Sequence, residues 1–368
     1  MTAGTSISDK FYIFAGVLFI TALFLIYDLY TSEMYQCPRV RYSSPIAGRT
    51  RYKPKINKLF GLKVLDRDID FDINGSDVIV FLHIQKTGGT TFGKHLVKHL
   101  EHRCDCSNKK SKRCDCNRPG TRVGDNNIWL FSRYSTGWSC GLHADWTELK
   151  NCVPKVLDDK ENNSKKRRYF YVTVLRDPVQ RYISEWRHMQ RGATWKKARH
   201  MCDGRLPSKE ELPSCFTGEN WLHVPLDEFM NCKYNLANNR QTRMLADLSL
   251  VGCYNLTKMP DEERKQVMLR SAKRKLRRLA FFGLTEYQLE SQFLFEETFK
   301  LNFQIPFEQM NNTKAELASA TAVTPLQYER IKQLNSLDID LYTFARTLFI
   351  QRKALMEAKK NNNGMLPF

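Results

Sequence analysis

A short loop rich in glycine, threonine and lysine has the composition of an anion-binding site. Residues 85–91 read Gln-Lys-Thr-Gly-Gly-Thr-Thr. Gly88 and Gly89 let backbone N–H groups approach an anion closely, and the helix predicted to begin near Thr91 adds the positive end of its dipole. Lys86 and three threonine hydroxyls supply side-chain donors. The lysine precedes the glycines, so the spacing differs from the G-x-x-x-x-G-K-S/T loop of nucleotide triphosphatases, and an ordinary glycine turn stays open as an alternative.

The segments around this loop predict the strands and helices that must position it. Residues 78–84 are apolar and β-branched, as expected of a buried parallel strand, and residues 92–101 have helical spacing of their apolar side chains. Residues 169–175 repeat the strand pattern, and Asp177 with Pro178 marks the start of the next helix. The loop therefore lies between a strand and a helix.

Later segments complete an alternating pattern of strands and helices. Residues 261–279 predict a long basic helix that leads into a third strand at residues 280–284, and residues 324–357 predict one or two packing helices. This alternation indicates an α/β domain with a central parallel sheet flanked by helices.

The charge of the chain restricts its partners. The 368 residues include 58 Lys and Arg against 39 Asp and Glu, a formal net charge of +19. Hydrophobic content of 42% and aromatic content of 12% are typical of a globular protein. So large a positive excess favours nucleic acid, anionic lipid or an acidic glycan as a partner.

An uncharged stretch near the N-terminus predicts a membrane anchor. It runs between Lys10 and Asp28 and is just long enough to span a thin bilayer. A cleaved signal peptide is the alternative, but the apolar run is longer than usual and no small-x-small cleavage site follows it. The chain is therefore predicted to divide into a cytosolic tail (1–10), a transmembrane signal anchor (11–29), a proline-containing lumenal stem (30–70), a large folded domain (71–352) and a C-terminal tail (353–368).

Cysteines and glycosylation sequons indicate the compartment. All 11 cysteines lie after the predicted anchor, as do four N-x-S/T sequons, at Asn74, Asn162, Asn255 and Asn311. Together they suggest an oxidising lumen, where nucleic acid is absent and an acidic glycan remains as the partner. The odd cysteine count leaves at least one thiol unpaired or bridged to another chain, and the sequence does not fix the oligomeric state.

Several motifs together resemble a known family of enzymes. Residues 83–92 are similar to the 5′-phosphosulfate loop of Golgi sulfotransferases, and residues 175–186 to their 3′-phosphate segment. With residues 137–148, 187–195 and 248–255, the set resembles heparan sulfate 6-O-sulfotransferases, and the resemblance extends over about residues 71–352. It implies a P-loop-like sulfotransferase domain in the Golgi membrane, single-pass and type II, with its catalytic domain in the lumen.

The resemblance also implies a reaction. The chain is expected to transfer a sulfuryl group from 3′-phosphoadenylyl sulfate (PAPS) to the 6-hydroxyl of glucosamine in heparan sulfate, by in-line displacement and without a metal. Sulfation of another position, such as the 2-hydroxyl of a uronic acid, is one alternative. A glycan-binding protein without turnover is another, and a small-molecule kinase is disfavoured because no magnesium carboxylate is evident.

The family's donor-site residues map onto matching positions here. Lys86 is expected at the bridging oxygen, where negative charge develops on the leaving phosphate. Arg176 and Ser184 are expected at the 3′-phosphate. The expected donor-binding residues are His83, Ile84, Gln85, Lys86, Thr87, Gly88, Gly89, Thr90, Thr91, Arg176, Ser184, Gln309, Met310, Lys314 and Ala315.

The resemblance selects the catalytic base and the acceptor residues. His143 is expected to take the proton of the sugar hydroxyl, as imidazole is suited to this near neutral pH. The expected substrate-binding residues are Lys112, Arg113, Arg133, Trp138, His143, His188 and Trp195. For Trp146 and Arg187, core packing or a solvated charge is an equally good reading.

A cysteine-rich segment and a basic segment each allow a structural and a functional interpretation. Cys104, Cys106, Cys114 and Cys116 form two C-x-C pairs, and disulfides around a basic loop are favoured over zinc because one intervening residue strains chelation. Residues 273–278 could bind glycan, but we favour the solvated face of a helix.

Overall fold

Four parallel strands form the central sheet of the computed structural model. They are β1 (Asp77–Leu82), β2 (Leu130–Phe131), β3 (Arg168–Leu175) and β4 (Phe281–Leu284), in the order β2–β1–β3–β4. Val80 lies opposite Phe131 on one side and Tyr171 on the other. All six residues of β1 are buried, which explains its uninterrupted apolar pattern. The predicted α/β fold with a parallel sheet is confirmed.

The structure describes residues 60–67, 69–107, 113–122, 125–307 and 323–363. The predicted cytosolic tail, the anchor at 11–29, residues 30–59 of the stem, and the site residues Lys112, Gln309, Met310, Lys314 and Ala315 lie outside these ranges. None of the helices within the described ranges is long and apolar enough to cross a membrane.

Helices cover the sheet, and half of the ten described helices follow the predicted segments. The described helices are α1 (Leu62–Leu65), α2 (Gly89–Lys98), α3 (Trp146–Glu161), α4 (Pro178–Gln190), α5 (Leu226–Asn231), α6 (Arg240–Leu245), α7 (Asp261–Arg278), α8 (Gln288–Phe299), α9 (Pro325–Leu334) and α10 (Ser336–Asn363). The predicted strands at residues 78–84 and 169–175 correspond to β1 and β3, which each begin one residue earlier. Helix α10 continues to Asn363, beyond the predicted end at residue 357. Strand β2 and helices α1, α3, α5, α6 and α8 were not predicted. β2 has two residues, too few for a periodic pattern.

Disulfides, not zinc, join the paired cysteines. Cys104 is bonded to Cys116, and Cys106 to Cys114. The other described bonds are Cys140–Cys152, Cys202–Cys253 and Cys215–Cys232. The disulfide prediction for this loop is confirmed. Cys37, the remaining cysteine, lies outside the described residues.

Helix α10 fixes α6, which in turn fixes the end of β3. Asn239 precedes α6 but its side chain does not cap the helix. Instead the fully buried carboxylate of Asp338 accepts hydrogen bonds from the N–H groups of Gln241 (3.0 Å) and Thr242 (2.7 Å). The Gln241 side chain then pairs with both the N–H and the carbonyl of Arg176, at 2.9 Å each. One carboxylate thus connects the C-terminal helix to a residue expected in the donor site.

We expect Asp338→Ala to lower the free energy of unfolding by more than about 2 kcal/mol, because it leaves two buried N–H donors without an acceptor. Asp340→Ala is the matched control on the same helix. Its carboxylate is 55% exposed and pairs with Lys273 at 2.7 Å, so its loss should cost less than about 1 kcal/mol. Denaturation of the two variants measures the difference, and equal destabilisation would contradict the role of Asp338.

Candidate active site

The loop between β1 and α2 is held in a turned conformation. Lys86 and Gly88 have φ angles of 65° and 79°, in the left-handed region that favours glycine. The Thr87 hydroxyl donates to the Ile84 carbonyl at 3.1 Å, and the Thr285 hydroxyl donates to the Thr87 carbonyl at 2.8 Å. The loop is therefore closed on itself and tied to the residue that follows β4. The left-handed backbone at Lys86 is strained, a feature that clusters at functional sites.

Gly89 brings the first turn of α2 against His83. A Cβ atom at Gly89 would lie 2.4 Å from His83 Cδ2, so only glycine fits there. His83 is 6% exposed, and burial, with His143 and Arg133 nearby, holds its pKa well below the usual value. Its Nδ1 and the Oε1 of Gln85 are buried without a hydrogen-bond partner among the described residues. Buried polar atoms are costly to leave unpaired, and both residues line the cavity described below.

Two cations stand at the loop. The Arg176 guanidinium donates to the Lys86 carbonyl at 3.3 Å. Burial, followed by the nearby Arg191 charge, lowers the pKa of Lys86 from 10.5 to about 8, although Glu185 opposes this shift. Burial also lowers the pKa of Arg176. Both charges are therefore only partly compensated by the protein, and an anion would stabilise them.

A cavity of about 720 Å³ brings the expected donor and acceptor residues together. Its wall contains all the expected donor residues from 83 to 91 except Ile84, which is buried and contributes through its carbonyl. Arg176 and Ser184 line it as well. From the acceptor set it contains Arg133, Trp138, His143, His188 and Trp195. Arg113 lies instead on a neighbouring cavity, and Trp146 packs against Tyr171 of β3.

His143 faces the loop as a neutral base with a defined tautomer. Its Nδ1 lies 2.9 Å from the His83 carbonyl, and since a carbonyl only accepts, Nδ1 carries the proton. Nε2 is then unprotonated, and it has no hydrogen bond to any described residue. Burial lowers the pKa of His143 to about 4. The hydrogen bond to His83 raises this pKa, whereas the charges of Arg240 and Arg133 lower it further. The ring is able to accept a proton at Nε2.

Aromatic rings surround this base. The His143 ring centroid lies 4.7 Å from that of Trp138 and 5.1 Å from that of Trp195. Trp195 has a φ angle of 54° and donates its indole N–H to Glu185 at 3.1 Å. Flat apolar rings beside a base provide the kind of surface on which a sugar ring stacks.

Glu185 is a buried carboxylate behind the aromatic rings. Burial raises its pKa, but the guanidinium groups of Arg240 and Arg181 outweigh this and hold the pKa at about 2. Arg240 Nε donates to Glu185 at 2.8 Å. Its charge is therefore permanent, and it fixes the indole of Trp195. His188, which contacts Trp195, has its pKa lowered to about 4 by burial and by the charges of Lys86 and Arg191.

Part of the cavity wall consists of residues to which the sequence analysis assigned no role. The residues that sequence reasoning missed are Phe92, His95, Leu142, Val174, Gln180, Phe281, Gly283, Leu284, Thr285, Glu286, Gln288, Ser291 and Phe307. Several follow β4, whose carboxyl end lies beside those of β1 and β3 in a parallel sheet. The position of that strand end is the one signal that could have indicated them.

Comparison with known proteins identifies relatives of the chain. Residues 69–345 match the model described as "Sulfotransferase family". The chain is 58% identical over 317 residues to heparan-sulfate 6-O-sulfotransferase 2 of Danio rerio, covering 84% of this chain and 66% of that protein. It is 52% identical to the Gallus gallus protein of the same name over 97% of this chain and 90% of the relative. For the Homo sapiens protein of that name the identity is 51%, over 97% of this chain and 60% of the relative. The chain thus spans about two thirds or less of the length of some relatives.

We expect the His143 ring to remain neutral, with its proton on Nδ1, down to a pH of about 4, because burial disfavours the imidazolium ion. Nitrogen-15 NMR of the labelled imidazole reports both the tautomer and its titration. The unfolded chain is the control, where a histidine titrates near about 6.5. A proton on Nε2 in the folded protein would rule out the assigned hydrogen bond.

Proposed function

This chain belongs to the sulfotransferase family, among the heparan-sulfate 6-O-sulfotransferases, and we propose that it transfers a sulfuryl group from PAPS to the 6-hydroxyl of glucosamine in heparan sulfate. The observation that carries the proposal is one cavity with the cationic loop on one wall and the neutral His143 on another. This arrangement suits transfer of an anionic group to a hydroxyl. It also distinguishes an enzyme from a lectin, which has no need of an anion loop beside a base.

The residues present fit PAPS as the donor. The loop combines Lys86, a positive helix end and three threonines, and the orphaned polar atoms of His83 and Gln85 lie beside it. Arg176 offers a planar guanidinium and Ser184 a hydroxyl for the 3′-phosphate. When bound, PAPS supplies the sulfuryl group and leaves as adenosine 3′,5′-bisphosphate. We propose that the segment containing Gln309, Met310, Lys314 and Ala315 also contacts the nucleotide; Phe307, which lines the cavity, precedes it closely in sequence.

His143 acts as the general base in this proposal. Its unprotonated Nε2 accepts the proton of the sugar 6-hydroxyl as the oxygen becomes a nucleophile. The hydrogen bond from Nδ1 to the His83 carbonyl holds the ring in the required tautomer and beside the loop. Negative charge from bound ligands favours the imidazolium form and so strengthens the base in the assembled complex.

Lys86 stabilises the charge that develops during transfer. Lys86 lies in a partly buried site, where electrostatic stabilisation exceeds that in water. We assign it to the oxygen between sulfur and phosphorus, which gains charge as the bond to sulfur breaks. The left-handed backbone at Lys86 is part of the fixed geometry that makes such a charge effective.

Aromatic and basic residues hold the acceptor. Trp138 and Trp195 flank His143, while Arg133 and His188 line the same cavity. Arg113 lines the adjacent one, and Lys112 precedes it in sequence. We assign the indoles to sugar rings and the cations to carboxylate or sulfate groups.

A lumenal location in the Golgi is consistent with the described residues. Five disulfides join ten cysteines, as expected in an oxidising compartment. Asn74 and Asn162 of the sequons are exposed, and Asn255 is partly exposed. We propose a type II membrane protein anchored by residues 11–29, with the domain in the lumen.

Incubation with radiolabelled PAPS and desulfated heparan chains, followed by disaccharide mapping, tests the whole proposal. Label on the 6-position of glucosamine is expected. Label on the 2-position of uronic acid would show that the chain is a 2-O-sulfotransferase. If no label is transferred although the nucleotide binds, the chain would be a glycan-binding protein without turnover.

His143→Ala should lower transfer about 10²–10⁴-fold, the usual contribution of a general base, while adenosine 3′,5′-bisphosphate still binds. Lys86→Ala should weaken both nucleotide binding and turnover, because it removes a cation from the donor site. Calorimetry and initial rates separate the two effects. An equal loss of nucleotide affinity in both variants would place His143 in the donor site.

The pH dependence of kcat/KM follows from two shifted pKa values. His143 must be unprotonated, so activity rises as the pH increases through its pKa of about 4. Lys86 must be protonated, so activity falls as the pH rises through its pKa of about 8. We expect a plateau between these values, since kcat/KM reports on the free enzyme. Lys86→Arg should remove the alkaline limb, because a guanidinium group stays protonated up to about pH 12. An alkaline limb that is unchanged in this variant would reassign it to another group.

A further inference from the structure

A second cavity of about 620 Å³ adjoins the active site. Arg133 and Trp138 line both cavities, so the two cavities share a wall formed by these side chains. The described residues lining the second cavity include four cations, Lys94, Lys98, Arg113 and Arg133, and no carboxylate. A concave surface with charges of one sign concentrates ions of the opposite sign.

Lys94 and Lys98 are the members of this set that no motif indicated. They lie one turn apart on α2, both side chains are exposed, and neither forms a salt bridge within the described ranges. The first turn of the same helix forms the anion loop. At a rise of 1.5 Å per residue, they lie about 7.5 Å and about 13.5 Å beyond Gly89 along the helix axis. Both side chains line the second cavity and not the active-site cavity.

The basic helix α7 provides a comparison, because two of its lysines form salt bridges with nearby carboxylates. Its Lys273 pairs with Asp340, and Lys265 with Asp261 and Glu262. In the second cavity, by contrast, the described lining residues include four cations and no carboxylate. These positive charges repel one another, and a bound anion would relieve the repulsion.

We propose that the second cavity is a subsite for an anionic group, a carboxylate or a sulfate, on a sugar next to the one that is modified. Lys94 and Lys98 supply the charge that binds it, and Arg133 joins this subsite to the reaction centre. The inference rests on the proposed function and adds a specificity to it: the charge of the neighbouring sugar sets the affinity of the acceptor. Lys94 and Lys98 act on acceptor binding and leave the donor site unaffected.

The double variant Lys94→Gln/Lys98→Gln tests the subsite. With a heparan octasaccharide, its acceptor KM should rise about three- to tenfold, the effect of losing two partly screened ion pairs, while kcat and the KM for PAPS stay unchanged. Lys94→Arg/Lys98→Arg should restore the KM. Arg270→Gln/Arg274→Gln is the matched control, as these exposed bases are also one turn apart, on α7. Its acceptor KM should be close to that of the unaltered protein.

Two modified octasaccharides identify the anionic group. If the Lys variant and the unaltered protein have the same KM for a carboxyl-reduced acceptor, the group bound in the subsite is a carboxylate. If they have the same KM for a desulfated acceptor, the group is a sulfate. Calorimetry of octasaccharide binding in the presence of adenosine 3′,5′-bisphosphate provides a readout independent of turnover. Equal effects of the Lys variant and the Arg270/Arg274 control on KM and affinity would overturn the subsite. No transfer by the unaltered protein would instead refute the proposed function, while calorimetry would still decide the subsite.

Discussion

The hydrogen bond from His143 Nδ1 to the His83 carbonyl joins the two halves of the site. His83 follows β1 and begins the anion loop, whereas His143 belongs to the segment before α3. One contact therefore fixes the tautomer of the base and its place beside the loop. Lys86, His143 and Trp195 all have left-handed backbone, which costs about 1–2 kcal/mol for each non-glycine residue. Such strain persists only where the surroundings hold it, and three of the ten described non-glycine residues with left-handed backbone line the active-site cavity.

A buried ionic network provides much of that support. Glu185 of α4 binds Arg181 and Arg240 and accepts the indole N–H of Trp195. Asp338 of α10 binds the start of α6, whose Gln241 holds the backbone of Arg176. Buried ion pairs contribute little net stability, because desolvation offsets their attraction. Their effect here is positional, since they place one acceptor residue and one donor residue relative to the sheet.

The electrostatics of the cavity match the ligands of the proposed reaction. Burial lowers the pKa of Lys86 to about 8 and those of His143 and His188 to about 4, and neighbouring cations act in the same direction. At neutral pH both histidines are therefore uncharged, and the positive charge of Lys86 is only partly neutralised by the protein. Anionic donor and acceptor groups supply the missing charge, and the adjoining cavity with Lys94 and Lys98 extends the same field along the expected path of a polyanionic chain.

The sequence alone determined the features that depend on near neighbours in the chain. Apolar runs predicted β1, β3 and β4, glycines and Lys86 marked the anion loop, and closely spaced cysteines indicated disulfides, because periodicity and turn chemistry are local. His143 was different: one of eight histidines, it was selected by its resemblance to a family motif and not by its own surroundings. Only the tertiary structure decided its tautomer, since its partner His83 is 60 residues away. The same holds for Thr285 at the loop and for the adjoining cavity, where α2 lies beside Cys114 of the Cys106–Cys114 bond. Contacts between distant segments depend on how the elements pack, and no local pattern in the sequence records them.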